Sequence, residues 1–370
     1  MIVNHAGYRL LSPADADTGW TGLAVFLGSF APVVFFFATG FGIGLGVAAT
    51  GRAPPLLDTA WKAALLVVAD QVAYWAAGEF YGLNFFSFIG IAMLTVSLVA
   101  RAPRSTALAL AITVALLLVR YGLGPLVRDD AGNGALVDWV VGVRGVPALA
   151  YPLTPWMVYP LVGFVLALRY AGPSRRWLLG SAAVGVLAGG AAVALVALHS
   201  ALFRWGTVSA SFFVLSLGVL AVAGLASMLL ARGAPQAAAT LSLRGVASFA
   251  VIPLHYALLD ACGLLTLPLR PWAFVPVVAG IAIASWIGAS AIARAVAHPA
   301  VGAHRRRALV LLCLAVVVPA VPVALWTLGI VGLMAAAISV FTLLAQLAVA
   351  GLLGLRARPV ARRIVTPTRV

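Results

Sequence analysis

Charge is the scarcest ingredient of this sequence. Charged residues make up 9% of it, the acids number nine, and of the 24 basic residues only Lys62 is a lysine. Soluble domains average about 25% charged residues, so the composition excludes an ordinary water-soluble globule. Cysteine occurs only as Cys262 and Cys313, which are predicted at opposite depths of a membrane and are not expected to pair. There is no CxxC or HExxH spacing for a metal, and no metal cofactor is expected. A GxxxxGK[ST] loop is missing too, which disfavours an ATP-driven machine. The opening MIVNHAGYRLL has neither a charged n-region nor a small-residue cleavage site, so it is not a signal peptide. No internal repeat stands out.

What fills the chain is apolar. Hydrophobic residues are 64% of 370 and the mean hydropathy is +1.11, the signature of a polytopic membrane protein. The apolar runs do not alternate as outer-membrane strands do, so the predicted class is an all-α transmembrane bundle rather than a barrel. About 20 apolar residues cross a bilayer. On that scale the sequence predicts about 11 spans (10–12), at 22–50, 57–78, 84–100, 105–121, 151–170, 177–201, 207–231, 243–266, 271–296, 308–327 and 330–353. Residues 1–355 form one predicted transmembrane domain and 356–370 a basic cytoplasmic tail.

Arginine placement orients the bundle, because cytoplasmic loops retain basic residues. One side holds Arg9, Arg120, Arg128, Arg144, Arg204 and Arg270, and the other loops hold the remaining 18 of the 24. The chain is therefore expected to begin outside and end in the cytoplasm of a bacterial-type inner or plasma membrane. By the same parity, MIVNHAGYRLL is expected to be the outer end of a helix whose first half would precede Met1. The net charge of +15 is scattered over loops, so topology explains it and nucleic acid is not an expected partner.

Ionisable residues inside a span are costly and mark functional sites. They are Asp70 in the second span, His199 at the end of the sixth, and His255 and Asp260 in the eighth. With His5, these are expected near the midplane or toward the outer face. Histidine takes and returns a proton near neutrality, and acyl transfer to a hydroxyl or amine needs such a base, held by an acid or carbonyl. His5 and His255 are the predicted bases, and Asp70 or Asp260 the orienting acid. The bland alternatives are that His199 sits at the interface and that Asp70 bonds within the bundle, to Gln71, Tyr74 or a neighbouring helix. His298 and His304 fall in a basic inner loop. The proline-rich YPLTPWMVYPLVGFVLAL, with the external segment before it, is either a kinked start to the fifth span or a substrate-lining break.

Several stretches resemble transmembrane acyltransferases, the broad group holding the heparan-alpha-glucosaminide N-acetyltransferase-like proteins and the acyltransferase 3 family. MIVNHAGYRLL resembles the stretch just after the Arg-Gly of their first helix, and GWTGLAVFLGSFAPVVFFFATGFGIG their next helix. LNFFSFIGIAMLTVSLVAR, VDWVVGVRGVPALAYPLTPWMVYPLVGFVLAL, TVSASFFVLSLGVLAVAG and RGVASFAVIPLHYALL are similar to later segments. The likeness covers most of 1–300 in short apolar motifs.

The resemblance implies transfer of an acyl group, usually acetyl from cytoplasmic acetyl-CoA, to a sugar or similar hydroxyl or amine acceptor on the outer side. It matches His5 to the first-helix histidine, Asn4 to its neighbour and His255 to the late-helix histidine. Asp138, Trp156 and Asp260 join Asn4 as expected acceptor contacts, with Arg52, Arg101 and Arg104 holding the acyl-CoA phosphates. The expected partners are lipids and a carbohydrate or glycolipid. The family's R-x-x-D-x-x-R-G start is missing, no histidine stands near Thr18 to Trp20, and Asp138–Trp139 replaces its Asp-Arg. The reading from another class is a proton-coupled carrier or flippase for a lipid-linked or small polar solute. A non-catalytic scaffold is disfavoured by the intramembrane Asp70 and His255. An in-frame Arg-x-x-Asp-x-x-Arg-Gly in the DNA upstream of Met1 is the expected sequencing result if the first helix is truncated.

Overall fold

The computed structural model describes residues 1–76, 84–124, 140–141, 151–170, 172, 174–199, 208–241, 251–252, 254–256, 258–259, 262 and 268–297. All the regular elements among them are helices. In order they are α1 (Ile2–Leu10), α2 (Pro13–Asp17), α3 (Gly19–Gly28), α4 (Ala31–Thr50), α5 (Leu56–Ala76), α6 (Phe85–Val99) and α7 (Ser105–Leu117), which continues as a π-helix over Leu118–Leu123. There follow α8 (Leu153–Trp156), α9 (Val158–Arg169), α10 (Arg175–His199), α11 (Ala210–Gly233), α12 (Pro235–Leu241) and α13 (Pro271–Ala297). The described residues around His255 are helical as well.

The helices fall where the apolar segments lie. Five described stretches are long and apolar enough to cross a membrane: Gly19–Thr50, Ser105–Leu123, Arg175–Ala197, Ala210–Gly233 and Pro271–Ala291. Their surfaces fit that reading, because α10 turns Val186 and Leu187 outward at 75% and 71% exposure. Water would penalise such a face and lipid would not. Long apolar helices with outward-facing aliphatic side chains make this a membrane-associated protein. The expected spans at 308–327 and 330–353 lie outside the described residues, as does Cys313.

One expected segment differs in shape. Residues 22–50 form two helices, with the break at Ser29 and Phe30. Pro32, in the first turn of α4, has no N–H to offer a preceding turn, so it starts a helix readily and continues one poorly. The resulting free carbonyl of Val25 becomes important for the site.

The chain divides into two compact units. The first comprises Met1–Ser29, Gln71–Phe80 and Leu243–Val370, and the second Phe30–Asp70 and Tyr81–Ser242. The second unit is built on an aromatic core. Trp156 is 0% exposed, and Phe36 and Tyr151 meet it edge-on at centroid distances of 5.7 and 5.0 Å. Phe30 stacks on Phe212 at 4.6 Å, and the Tyr159 hydroxyl lies 2.8 Å from Ser216 Oγ. Edge-to-face pairs add stabilisation beyond simple burial.

Beside that core, α4 and α9 pack backbone against backbone. A Cβ on Gly40 would stand 1.8 Å from the Pro160 carbonyl oxygen, whereas one on Gly42 would meet nothing within 4 Å. Gly40→Leu should therefore lower stability in detergent by about 1–3 kcal/mol or more, the usual cost of overpacking. Thermal unfolding of Gly42→Ala alongside it should show no loss, since Ala is the better helix former.

Candidate functional site

The site is built in the first unit, where α1 must be held against α3 before its histidine can be placed. Gly7 makes the approach possible: a Cβ there would lie 2.1 Å from Val25 Cγ2. Gly28 does the same at the other end, where a Cβ would lie 2.8 Å from the Asn4 amide nitrogen. Asn4 fixes the register, its Nδ2 donating to the Val25 carbonyl at 3.0 Å. That carbonyl is among the last of α3, which the break at Ser29 leaves without a continuing helix to serve. At the far end of α1 the Leu10 carbonyl accepts from the Leu269 amide at 2.6 Å. Ala6, Leu10, Leu11, Ala16 and Val25 then bury themselves with Leu259 and with Phe274, Val278 and Ile281 of α13.

This packing brings His5 to His255, 250 residues away. Nδ1 of His5 lies 3.0 Å from Nε2 of His255. On the other side of His255, Nδ1 lies 3.0 Å from the Val251 carbonyl oxygen, one helical turn back. On the other side of His5, Nε2 lies 3.1 Å from the Tyr256 hydroxyl. The three rings form a tight group, with Tyr256 4.6 Å from each imidazole centroid. The Arg9 guanidinium lies over the Tyr256 ring at 5.4 Å.

The hydrogen positions follow from what each atom is able to do. A carbonyl only accepts, so His255 Nδ1 carries a hydrogen and donates it to Val251. In the neutral ring Nε2 is then an acceptor, and His5 Nδ1–H donates to it. His5 Nε2 is left as an acceptor, and the Tyr256 hydroxyl donates to that atom. The result is one polarised chain, from Tyr256 through His5 and His255 to Val251. Such an arrangement can take up a proton at the tyrosine end, and the backbone carbonyl closes it at the other.

Burial follows the same order. His255 is 0% exposed, His5 and Tyr256 are half-buried, and Arg9 is exposed. Exposure thus rises from His255 toward the tyrosine end of the chain. The group holding His5 is His255 itself, the part that the sequence assigned to a carboxylate.

The other expected residues belong to the second unit or lie outside the described residues. Asp70 belongs to the second unit, is 4% exposed, and accepts from the Ser87 amide at 2.6 Å. It thereby neutralises the start of α6, where Asn84 also caps Phe85 at 2.9 Å. Trp156 sits in that unit's aromatic core. Arg52 and Arg104 are exposed in the turns after α4 and before α7, and Arg101 joins the two turns. Its guanidinium donates to the Ser97 carbonyl at 2.5 Å and to the Pro54 carbonyl. Asp138 and Asp260 lie outside the described residues, and no group of three or more potential metal ligands occurs among those described.

Tyr256 is the site residue that sequence reasoning missed. A tyrosine in a span reads as an interface or core aromatic, and the one available signal was its position directly after His255 in PLHYALL. Asn4, expected to contact the acceptor, makes a hydrogen bond that seats α1. Asn4→Ala should cost about 1 kcal/mol in chemical or thermal unfolding, the usual worth of one such bond, and should lower any His5-dependent activity with it. Across the known proteins, the chain matches no family model, no curated protein and no solved structure.

Proposed function

We propose that this protein is an integral membrane acyltransferase that moves an acyl group, acetyl in the simplest case, from a cytoplasmic acyl-CoA to a hydroxyl or amine on the outer side. The acceptor is a sugar or glycolipid. The chain crosses a bacterial-type plasma membrane about eleven times, with its start outside and its arginine-rich end inside, following the positive-inside rule. The reading draws on the likeness of its short motifs to transmembrane acyltransferases. The observation that carries it is the polarised chain Tyr256–His5–His255–Val251.

A general base must be neutral at rest, hold its proton after removal, and be oriented by a second group. His5 meets these needs through Nε2, with His255 accepting from its Nδ1–H and the Val251 carbonyl accepting from His255. A positive charge created on His5 can be shared with His255 by a shift of one proton along a 3.0 Å contact. A proton-coupled carrier is often built from two related halves with matching broken helices. No internal repeat stands out in this sequence, which favours catalysis over carriage.

The donor side is the basic one. Arg52, Arg101 and Arg104 stand in turns that Arg101 links, and arginine pairs bidentately with phosphate. They are the proposed contacts for the acyl-CoA phosphates, with Asp138 and Asp260 proposed near the acceptor. No metal is part of the scheme.

The test offers radiolabelled acetyl-CoA to inverted membrane vesicles containing the protein. Label should appear on a lipid or carbohydrate acceptor, and His5→Ala should reduce it about 100-fold or more, the usual contribution of a general base. Solute uptake with no label transferred would support the carrier instead.

A further inference from the structure

We infer that the boundary between lipid headgroups and hydrocarbon crosses this protein at Trp20, and that acyl chains cover the outward face of α3 beneath it. The His5–His255 pair then lies about 10 Å below that boundary. The inference goes beyond the acyltransferase reading and does not rest on it.

Hydropathy alone does not locate the boundary. The apolar stretch Gly19–Thr50 has 32 residues, about 48 Å of helix, whereas the hydrocarbon is about 30 Å thick. The side chains of α3 do locate it. Trp20, Leu23 and Leu27 share one face by helical spacing and are 50%, 59% and 54% exposed, while Thr21 and Val25 on the other side are buried. In water such a face would cost about 25 cal/mol for each Å² of apolar area, and acyl chains remove that cost. Just before Trp20 the surface turns polar. Asp17 and Thr18 are exposed, the Thr18 hydroxyl donates to the Ala14 carbonyl at 2.7 Å, and Ser12 donates to the Asp15 carboxylate at 2.7 Å. Carboxylates are costly within hydrocarbon, and indole rings favour the headgroup level. Charge, indole and leucine follow one another down one side of the chain.

The packing of α1 carries this scale to the histidines. α1 runs antiparallel to α3, with Gly7 against Val25 and Asn4 against Gly28. His5 is therefore level with Leu27, seven residues or about 10 Å below Trp20. His255, whose Nε2 is 3.0 Å from His5 Nδ1, shares that depth. Tyr8 and Arg9 are exposed near the level of Leu23, and side chains of their length reach back to the headgroups.

The experiment places a nitroxide on single cysteines of the full-length protein in phosphatidylcholine vesicles, with Cys262→Ser and Cys313→Ser removing the native thiols. Labels go in turn to Thr18→Cys, Trp20→Cys, Leu23→Cys and Leu27→Cys, and to Tyr8→Cys, which reads the same scale from α1 should an α3 variant fail to fold. All these positions are exposed, so unchanged unfolding temperatures are expected. Depth is read from collisions with oxygen, which concentrates in hydrocarbon, and with a water-soluble nickel chelate. Nickel should dominate at 18 and oxygen at 23 and 27, with the label at 27 about 10 Å deeper than that at 20 and the label at 8 close to that at 23. Nickel collisions at 27 as frequent as at 18 would put the face in water and overturn the boundary. Weak collisions with both reagents at 23 and 27 would mean that protein covers the face, and would overturn the lipid contact. Neither result depends on acyl transfer, and a protein that transfers nothing would leave the boundary where it is.

Discussion

A backbone carbonyl decides what the histidines of this protein are able to do. Val251 accepts from His255 Nδ1 at 3.0 Å, and every hydrogen in the chain beyond it follows. Were that carbonyl engaged elsewhere, His255 would be free to adopt either tautomer, and His5 would lose its fixed polarity. The arrangement parallels the way an aspartate orients a histidine in hydrolase triads, but with a neutral partner. Neutrality suits the setting, because a buried carboxylate pays a large desolvation cost and a hydrogen-bonded imidazole pays much less.

Holding that chain together is a packing problem solved in α1 and α3. His5 reaches a residue 250 positions away only because α1 lies close enough to α3 for Asn4 to find the Val25 carbonyl. The break at Ser29 exposes that carbonyl, Gly7 removes the Cβ that would collide with Val25, and α13 closes the apolar side with Phe274, Val278 and Ile281. The second unit solves a different problem. Its aromatic core and the close α4–α9 contact support turns that bear arginines, and Asp70 there secures the start of α6.

The sequence made some of this legible, for physical reasons. Long apolar runs have few alternatives to helix, so the helices fall where hydropathy puts them. The cost of a charge in lipid singled out His255, and its expected outer depth paired it with His5. The break within 22–50 was not legible, because a continuous apolar run looks the same bent or straight, and Pro32 is equally at home early in a helix. Trp156 and Asp70 show the other limit. Whether an aromatic ring faces a ligand or a core, and whether a carboxylate holds a histidine or a helix end, depends on neighbours distant in the chain. Tyr256 escaped notice for the same reason, since its chemistry comes from His5 and not from its own segment.

The most direct test of the central claim is the nitrogen NMR spectrum of the imidazoles in protein labelled with 15N-histidine, assigned by replacing His5 and His255 in turn among the five histidines. At neutral pH the account predicts that both rings are neutral with the hydrogen on Nδ1 and a bare, hydrogen-bonded Nε2. Spectra showing either ring with its hydrogen on Nε2, or both averaging freely between tautomers, would contradict it.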